Sequence, residues 1–247
     1  MKVSVIVTVF NNASTIIDAI DSILLQDYSN IECIVIDAGS TDGTIEALNQ
    51  NISKIDVFVS EADKGIYDGL NKGVAMATGD VIAFLHSDDV YADTKVVSDV
   101  VSQFQPKIQG VYGDLVYTEI DNFNKVIRYW RSKPFASTLL NDGWMPPHPT
   151  LFLRRSVYEK YGSFDTSYSI SGDYEFMLRI LKEGVVVSYV PRVLYKMRIG
   201  GKSNRGIVNL FNKSVEDLRA MRYHGLRNPF YGLLYKNISK LIQLIRR

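Results

Sequence analysis

The sequence predicts a three-layer α/β fold with a mostly parallel central sheet and a helical extension at the C-terminus. Three observations lead there. Short apolar runs rich in β-branched residues occupy residues 3–9, 31–36, 57–59 and 81–85, the pattern of strands buried on both faces. Segments with helical spacing of apolar residues separate them, which implies right-handed crossovers between parallel strands. Each run also ends in a polar cluster, at 8–11, 37–44, 61–64 and 86–89. In folds of this class ligands bind beyond the carboxyl ends of the strands, so these clusters are expected to share one rim.

Taken in order, the first strand ends at Asn11 and Asn12, and Asn12 or Ser14 is expected to cap a helix carrying Ile16, Ile20, Ile23 and Leu24 on one face. The second strand runs into Asp37, and the loop to Thr44 opens a helix through Ile45 and Leu48. A third strand precedes Glu61, Asp63 and Lys64, and Ile66, Leu70, Val74 and Ala77 mark the next helix. The fourth strand stops at Asp88 and Asp89. Val96 to Phe104 reads as a helix, 110–117 and 126–130 as a strand pair joined through Asp121 to Asn124, 150–153 as a strand and 156–161 as a short helix. A Pro-rich irregular stretch around Trp144 and His148 lies between. A helix starts near Gly172, and a last strand, 185–190, is expected to end at Pro191.

At 247 residues the chain suits one sizeable domain with appendages. Its formal net charge of +1 disfavours a general nucleic-acid binder. The single cysteine, Cys33, sits in an apolar run and rules out a disulfide framework, which fits a reducing cytoplasm. Asn11 and Asn12 interrupt the first apolar run, so it reads as a strand rather than a leader, and no run is long enough to span a bilayer.

The adjacent carboxylates Asp88 and Asp89 repel each other unless a cation or solvent relieves them. Hard cations such as Mg²⁺ and Mn²⁺ prefer carboxylate oxygen and share it with substrate phosphates. Taken alone, the pair reads equally as a turn and a helix cap.

Residues 3–11, Asp37-Ala38-Gly39-Ser40-Thr41-Asp42-Gly43-Thr44, 65–79 and Ser87-Asp88-Asp89 together resemble family 2 glycosyltransferases of the GT-A fold, a Rossmann-like α/β/α architecture. The phrase from Asp63 to Gly73 resembles the subgroup that builds bacterial O-antigens, capsules and colanic-acid-type polysaccharide. The resemblance implies a catalytic domain over 1–205, with 1–92 binding a nucleotide-diphosphate sugar and 93–205 the acceptor. It implies that Thr8, Phe10 and Asn11 line the base and ribose site, that Asp37 accepts a hydrogen bond from the base, and that Glu61 and Asp63 border the pocket. Asn71 and Lys72 would reach the diphosphate or sugar. Asp89 would ligate Mn²⁺ or Mg²⁺ directly, with Asp88 beside it near the ribose or sugar. His86 stands where many relatives carry a further Asp, so no ligand is expected there. Asp173 matches the base position, with Glu175 as rival carboxylate. Trp144 and His148 fall where relatives shape the acceptor site, and Arg198 and Ser203 resemble a mobile segment that closes over the diphosphate. The Gln-x-x-Arg-Trp signature of processive synthases is absent. The implied chemistry is inverting transfer of one sugar, from a donor with uridine favoured over guanosine, to a saccharide or polyprenyl-diphosphate-linked acceptor.

Two alternatives stay open: a sugar nucleotidyltransferase and a non-catalytic sugar-nucleotide binding protein. The former wants glycine and basic residues after the first strand, and residues 8–14 have neither. Retention of Asp89 and Asp173 weighs against the latter. The tail, 206–247, carries no acid from Arg219 onward, while Leu234, Ile238, Leu241, Ile242 and Ile245 share a helical face. That is the pattern of a basic amphipathic helix on an anionic membrane surface, here the inner face of the plasma membrane; a helix packed on its own domain fits as well.

Overall fold

The computed structural model describes residues 1–199 and 207–245, with side chains at 1–199 and 209–239. Gly200, Gly201, Lys202 and Ser203 lie outside the described residues, as do Arg246, Arg247 and the side chains of Lys240, Leu241, Ile242 and Ile245. Strands β1 (Val3–Val9), β2 (Ile31–Asp37), β3 (Val57–Ser60) and β4 (Val81–His86) alternate with helices α1 (Ile16–Leu24), α2 (Thr44–Gln50) and α3 (Ile66–Met76). β1 pairs in parallel with β2 and β4, and β2 with β3. Successive side chains of β1 point to opposite layers. Ile6 joins the core that holds Tyr67 and Leu70 of α3, and Val5 and Val7 join the one that holds Ile16, Ile20 and Ile23 of α1. Helix α3 lies close to β1 because Gly73 faces it: a Cβ there would stand 2.3 Å from Ile6 Cγ2.

The rest of the chain is β5 (Val90–Tyr91), α4 (Val96–Ser102), β6 (Gly110–Glu119), β7 (Asn122–Trp130), β8 (Phe152–Arg154), α5 (Arg155–Tyr161), α6 (Gly172–Lys182), β9 (Val187–Arg198), α7 (Ile207–Tyr223) and α8 (Pro229–Ile245). Among the described residues the sheet has nine strands, in the order β3-β2-β1-β4-β8-β6-β9-β5, with β7 on β6. It is parallel through β4 and mixed beyond, where β8 runs antiparallel to both β4 and β6 and β9 runs parallel to β6.

Four local expectations change. β9 does not stop at Pro191 but continues to Arg198, because the ladder slips between Tyr112 and Leu115 and the bulge leaves Pro191 unpaired and exposed. The β6–β7 hairpin turns at Ile120 and Asp121, with Glu119 opposite Asn122, one step earlier than its Asn-rich stretch indicates. The two-residue β5, antiparallel to β9, has no periodicity to reveal it. Finally, neither Asn12 nor Ser14 caps α1, whose N-cap position is Thr15.

The tail forms two helices that join the body. Ala220, Met221 and Leu226 are buried in the core layer of α3 and α6. The buried Lys236 ammonium pairs with buried Asp217 at 2.9 Å and lies 3.2 Å from the centroid of the Tyr174 ring. Among the described residues no helix is long and apolar enough to cross a membrane.

Candidate active site

The ends of β1, β2 and β4 and the start of α6 build the site. Thr8 closes the inner part of β1. A Cβ at Gly69 would stand 3.1 Å from Asp63 Oδ2 and 3.4 Å from Thr8 Cγ2, so the bare glycine is what lets Thr8 and Asp63 share that corner. The Phe10 ring is half exposed. Asn11 adopts φ 50°, a left-handed conformation that asparagine tolerates better than most residues. Its N–H donates to Ser40 Oγ and its Oδ1 accepts the Thr41 N–H, each at 2.8 Å.

Asp37 is turned away from this surface, contrary to the role of base acceptor. It is fully buried; Oδ2 accepts the N–H groups of Gly39 and Ser40, each at 3.0 Å, and the Ser60 hydroxyl at 2.7 Å, while Oδ1 takes the Ser40 hydroxyl. A carboxylate with that many donors is held in place by its own loop. Asp37 therefore fixes Ser40, and Ser40 fixes Asn11.

The 86–89 turn is clamped from three sides. Asn12 Nδ2 donates to Ser87 Oγ at 3.0 Å and the Thr15 hydroxyl to the Ser87 carbonyl at 2.9 Å, which is why neither side chain is spent capping α1. The Arg198 guanidinium supplies the third clamp. Its Nη1 donates to the Asp88 carbonyl at 2.8 Å, Nε to the Ile120 carbonyl at 2.9 Å and Nη2 to Asp18 Oδ2 at 2.5 Å, with the Phe123 ring stacked 4.1 Å away. The expectation that Arg198 reaches the diphosphate gives way: all three nitrogens already have partners and the side chain is buried. Ser203, its proposed companion, is outside the described residues.

Asp89 is buried at 1% exposure, with one oxygen accepting the Arg198 N–H at 2.9 Å and the other, Oδ2, left without a hydrogen-bond partner. Burial, and then the charge of Asp88, push its pKa well above the usual carboxylate range. Those features fit a cation ligand: a buried acceptor oxygen lacking a donor, beside a second, half-buried carboxylate. Among the described residues no three acidic, histidine or cysteine side chains are grouped to hold a metal. The protein would thus supply the pair alone, the arrangement in which phosphate oxygens and water complete a hard ion's shell.

Asp173 sits in the first turn of α6, half-buried. The Tyr67 hydroxyl donates to the Ile170 carbonyl at 2.7 Å and approaches Asp173 Oδ1 at 3.4 Å. Gly172 makes room for that ring, since a Cβ there would lie 2.8–3.0 Å from three Tyr67 ring atoms. The loop ahead of α6 is held by Glu216 of α7, whose carboxylate accepts the N–H groups of Ser169, Ile170 and Ser171 at 2.8–2.9 Å. Asp173 acts electrostatically on two histidines. Burial lowers the pKa of His86, and the charges of Asp88 and then Asp173 oppose it. His148 is lowered to about 4 by burial, against the pull of Asp173 and with the help of His86. The charges of Asp88 and Asp173, far apart in sequence, are thus both felt at the His86 imidazole at the end of β4.

The remaining expected residues divide. Lys72 and Glu61 are paired at 2.9 Å at the rim, and Glu61, followed by Asp68, raises the lysine's pKa. Asn71 is not free to reach a sugar: its amide brackets the Phe164 backbone, Nδ2 to the carbonyl and Oδ1 from the N–H, each at 2.9 Å. Glu175 is not poised as a base, because the helix turns it inward, 3% exposed, to pair with Arg179 at 3.0 Å and meet His224 at 2.9 Å. Trp144 is half-buried, stacked on Phe135 and edge-on to Tyr112. His148 lies beneath the surface between Phe84 and Phe164, a support for the site. Sequence reasoning missed Tyr67 and Glu216 as positioning groups; Tyr67 lies inside the 63–73 motif, but nothing local marks Glu216. Two surface grooves of about 680 and 720 Å³, one lined by Asp18, Tyr91, Phe123 and Arg198 and the other by Asp93, Tyr129 and Arg192, include neither Asp173 nor Thr8 in their walls.

Comparison with known proteins gives the class to which this fold belongs. The model of glycosyl transferase family 2 matches residues 4–162. An uncharacterised glycosyltransferase of Mycobacterium tuberculosis (strain CDC 1551 / Oshkosh) is 34% identical over 93% of this chain and 86% of its own length. The fold is similar to Staphylococcus aureus TarS 1–349 in complex with UDP-GlcNAc (TM-score 0.68, 17% identity, 93% of this chain and 73% of that one). It is also similar to a mannosyltransferase from Pyrobaculum calidifontis in complex with GDP-Man and Mn²⁺ (TM-score 0.66, 20% identity, 100% and 76%). The chain belongs to glycosyltransferase family 2 and has a GT-A-like α/β fold.

Proposed function

We propose that this glycosyltransferase moves one hexosyl or N-acetylhexosaminyl unit, with inversion, from a nucleotide-diphosphate sugar to a saccharide or polyprenyl-diphosphate-linked acceptor in bacterial surface polysaccharide synthesis. Residues 1–92 hold the donor and 93–205 the acceptor. Thr8, Phe10, Asn11 and Asp63 form the nucleotide wall, with the Lys72–Glu61 pair at its edge. UDP is the favoured carrier. Asp89, with Asp88, holds Mn²⁺ or Mg²⁺, which when bound supplies Lewis-acid stabilisation of the charge on the departing diphosphate. Asp173 takes the proton of the acceptor hydroxyl as that oxygen attacks the anomeric carbon, and Tyr67 orients its carboxylate. Trp144 offers a ring face to the acceptor sugar. Inversion by direct displacement needs no enzyme nucleophile.

The observation that supports this reading is the buried carboxylate of Asp89 at the end of β4, whose Oδ2 has no hydrogen-bond partner, with the half-buried Asp88 beside it. A metal carboxylate and a base on one lip are what in-line displacement requires. A thermal-shift panel of nucleotide sugars with and without Mn²⁺ tests it. A ligand at a hundred times its Kd adds about 2.7 kcal/mol to the folded state. A shift with one nucleotide sugar that grows with Mn²⁺ is expected; no shift with any of them overturns the reading.

A further inference from the structure

We infer that the outer face of α8 is a docking surface for an anionic lipid bilayer. Phe230, Tyr231, Leu234, Tyr235 and Ile238 are 42–67% exposed, although each is large and apolar or aromatic. At 100° per residue they span an arc of about 140° on one side of the helix. The opposite side carries Gly232, Leu233 and Lys236 and packs inward, with Lys236 on Asp217 and Tyr174. The amphipathic helix therefore shows solvent its apolar side, the reverse of a helix that merely covers its own domain.

Charge selects the occupant. No acid occurs from Arg219 to the end of the sequence. The acids one turn earlier in α7 are spent inward, Glu216 on the loop before α6 and Asp217 on Lys236. Arg222 and Arg227 are exposed, and the Arg222 guanidinium sits 5.0 Å over the Phe230 ring at the α7–α8 corner, whereas Arg219 is turned to Ser167 and the Tyr168 ring. Aromatic and aliphatic side chains with Arg222 against Phe230 at their edge match the headgroup boundary of an anionic leaflet, where Tyr and Phe seat at the interface and Arg meets phosphate. A second copy of this chain would bring cations against cations. The inward side of α8 touches Tyr174, the neighbour of Asp173, so a bilayer on the outer side would lie about one helix diameter, ~10 Å, from α6. This inference deepens the transferase reading, on which it rests for the lipid-linked acceptor.

Deleting the tail is a poor test, because Ala220, Met221 and Leu226 belong to the core. The full chain is instead sedimented with vesicles of phosphatidylcholine alone or mixed with phosphatidylglycerol, as wild type, Leu234→Gln/Ile238→Gln and Arg222→Gln/Arg227→Gln. The wild type is expected to pellet with the anionic vesicles only. Each double variant should lose at least about tenfold in binding while its melting temperature and nucleotide-sugar shift are unchanged. Should the apolar pair lower the melting temperature, the loss of binding in the arginine pair decides the question by itself. The proposal is overturned if the wild type ignores anionic vesicles, if both variants pellet like wild type, or if light scattering shows a wild-type dimer that the apolar pair converts to monomer. Donor shifts read on the same samples separate the two ideas: lost donor binding with intact pelleting counts against the transferase reading alone.

Discussion

Asp89 accepts the backbone N–H of Arg198 at 2.9 Å through one carboxylate oxygen, and its buried Oδ2 has no hydrogen-bond partner, although the Tyr195 hydroxyl is near enough to lower the carboxyl's pKa. The same Arg198 grips the carbonyl of Asp88 with its side chain. The last residue of β9 thus fixes both halves of the Asp88–Asp89 turn, and Asp18 and Phe123 hold that arginine from either side. A buried, unsatisfied carboxylate is costly, and it is tolerated where a ligand completes it.

Arg198→Lys should therefore behave as a severe change. An ammonium keeps the charge but cannot reproduce a planar fork to the Asp88 carbonyl, the Ile120 carbonyl and Asp18. Losing two charge-assisted bonds predicts about 3–6 kcal/mol of destabilisation in urea unfolding. Mn²⁺-dependent activity should fall with it, because the turn is no longer held. A variant with wild-type stability and activity would show that the clamp is idle.

Gly172→Ala tests the positioning of Asp173. The added methyl meets the Tyr67 ring at 2.8–3.0 Å, and either the ring or the first turn of α6 must shift. Overpacking of this kind costs about 1–3 kcal/mol. A displacement near 1 Å at the base lowers kcat by about a hundredfold, whereas the donor KM, set on the far side of the rim, should stay within about threefold. Equal changes in both would place Gly172 in donor binding instead.

Much of the framework is legible in the sequence because β1, β2 and β4 are buried on both faces and read as nearly continuous apolar runs, broken by Ser4 and Thr8 in β1 and Glu32 in β2. β5 is too short to carry any period, and Pro191 reads as a terminator unless a bulge spares it from the ladder. At the site, residue type and place were legible but direction was not. A carboxylate at a strand end looks the same whether it faces a ligand or its own loop, and the donors Ser40 and Ser60 settle Asp37 inward. Asn71, Glu175 and Arg198 follow the same rule, since their partners Phe164, Arg179 and Ile120 are remote in sequence or one helical turn away. The tail's period marks an amphipathic helix, yet only the buried Asp217–Lys236 pair decides which side turns inward.

Glu32 predicts the acid limb of stability. It is buried beside Lys2, Ser4 and Thr78; burial alone would raise its pKa, but the hydrogen bonds from these three bring it down to about 2 from 4.5. A carboxylate depressed in the folded state contributes stability above its unfolded pKa and loses it as pH falls through the folded value. The contribution, on the order of 2–3 kcal/mol, should be complete above about pH 5 and fade toward pH 2. Glu32→Gln should be less stable at pH 7 and nearly indistinguishable from wild type at pH 2 by chemical denaturation. A difference that does not change with pH would exclude the ionised network as its source.

The central claim is that Asp89 and Asp173 do separate work on one rim. Donor binding and turnover measured with Mn²⁺ in Asp89→Asn and Asp173→Asn test it most directly. The account predicts that Asp173→Asn binds the nucleotide sugar as wild type does yet loses turnover by more than about a hundredfold. It predicts that Asp89→Asn loses the Mn²⁺-dependent part of donor binding. Wild-type turnover in Asp173→Asn, or metal-dependent donor binding that survives in Asp89→Asn, would contradict it.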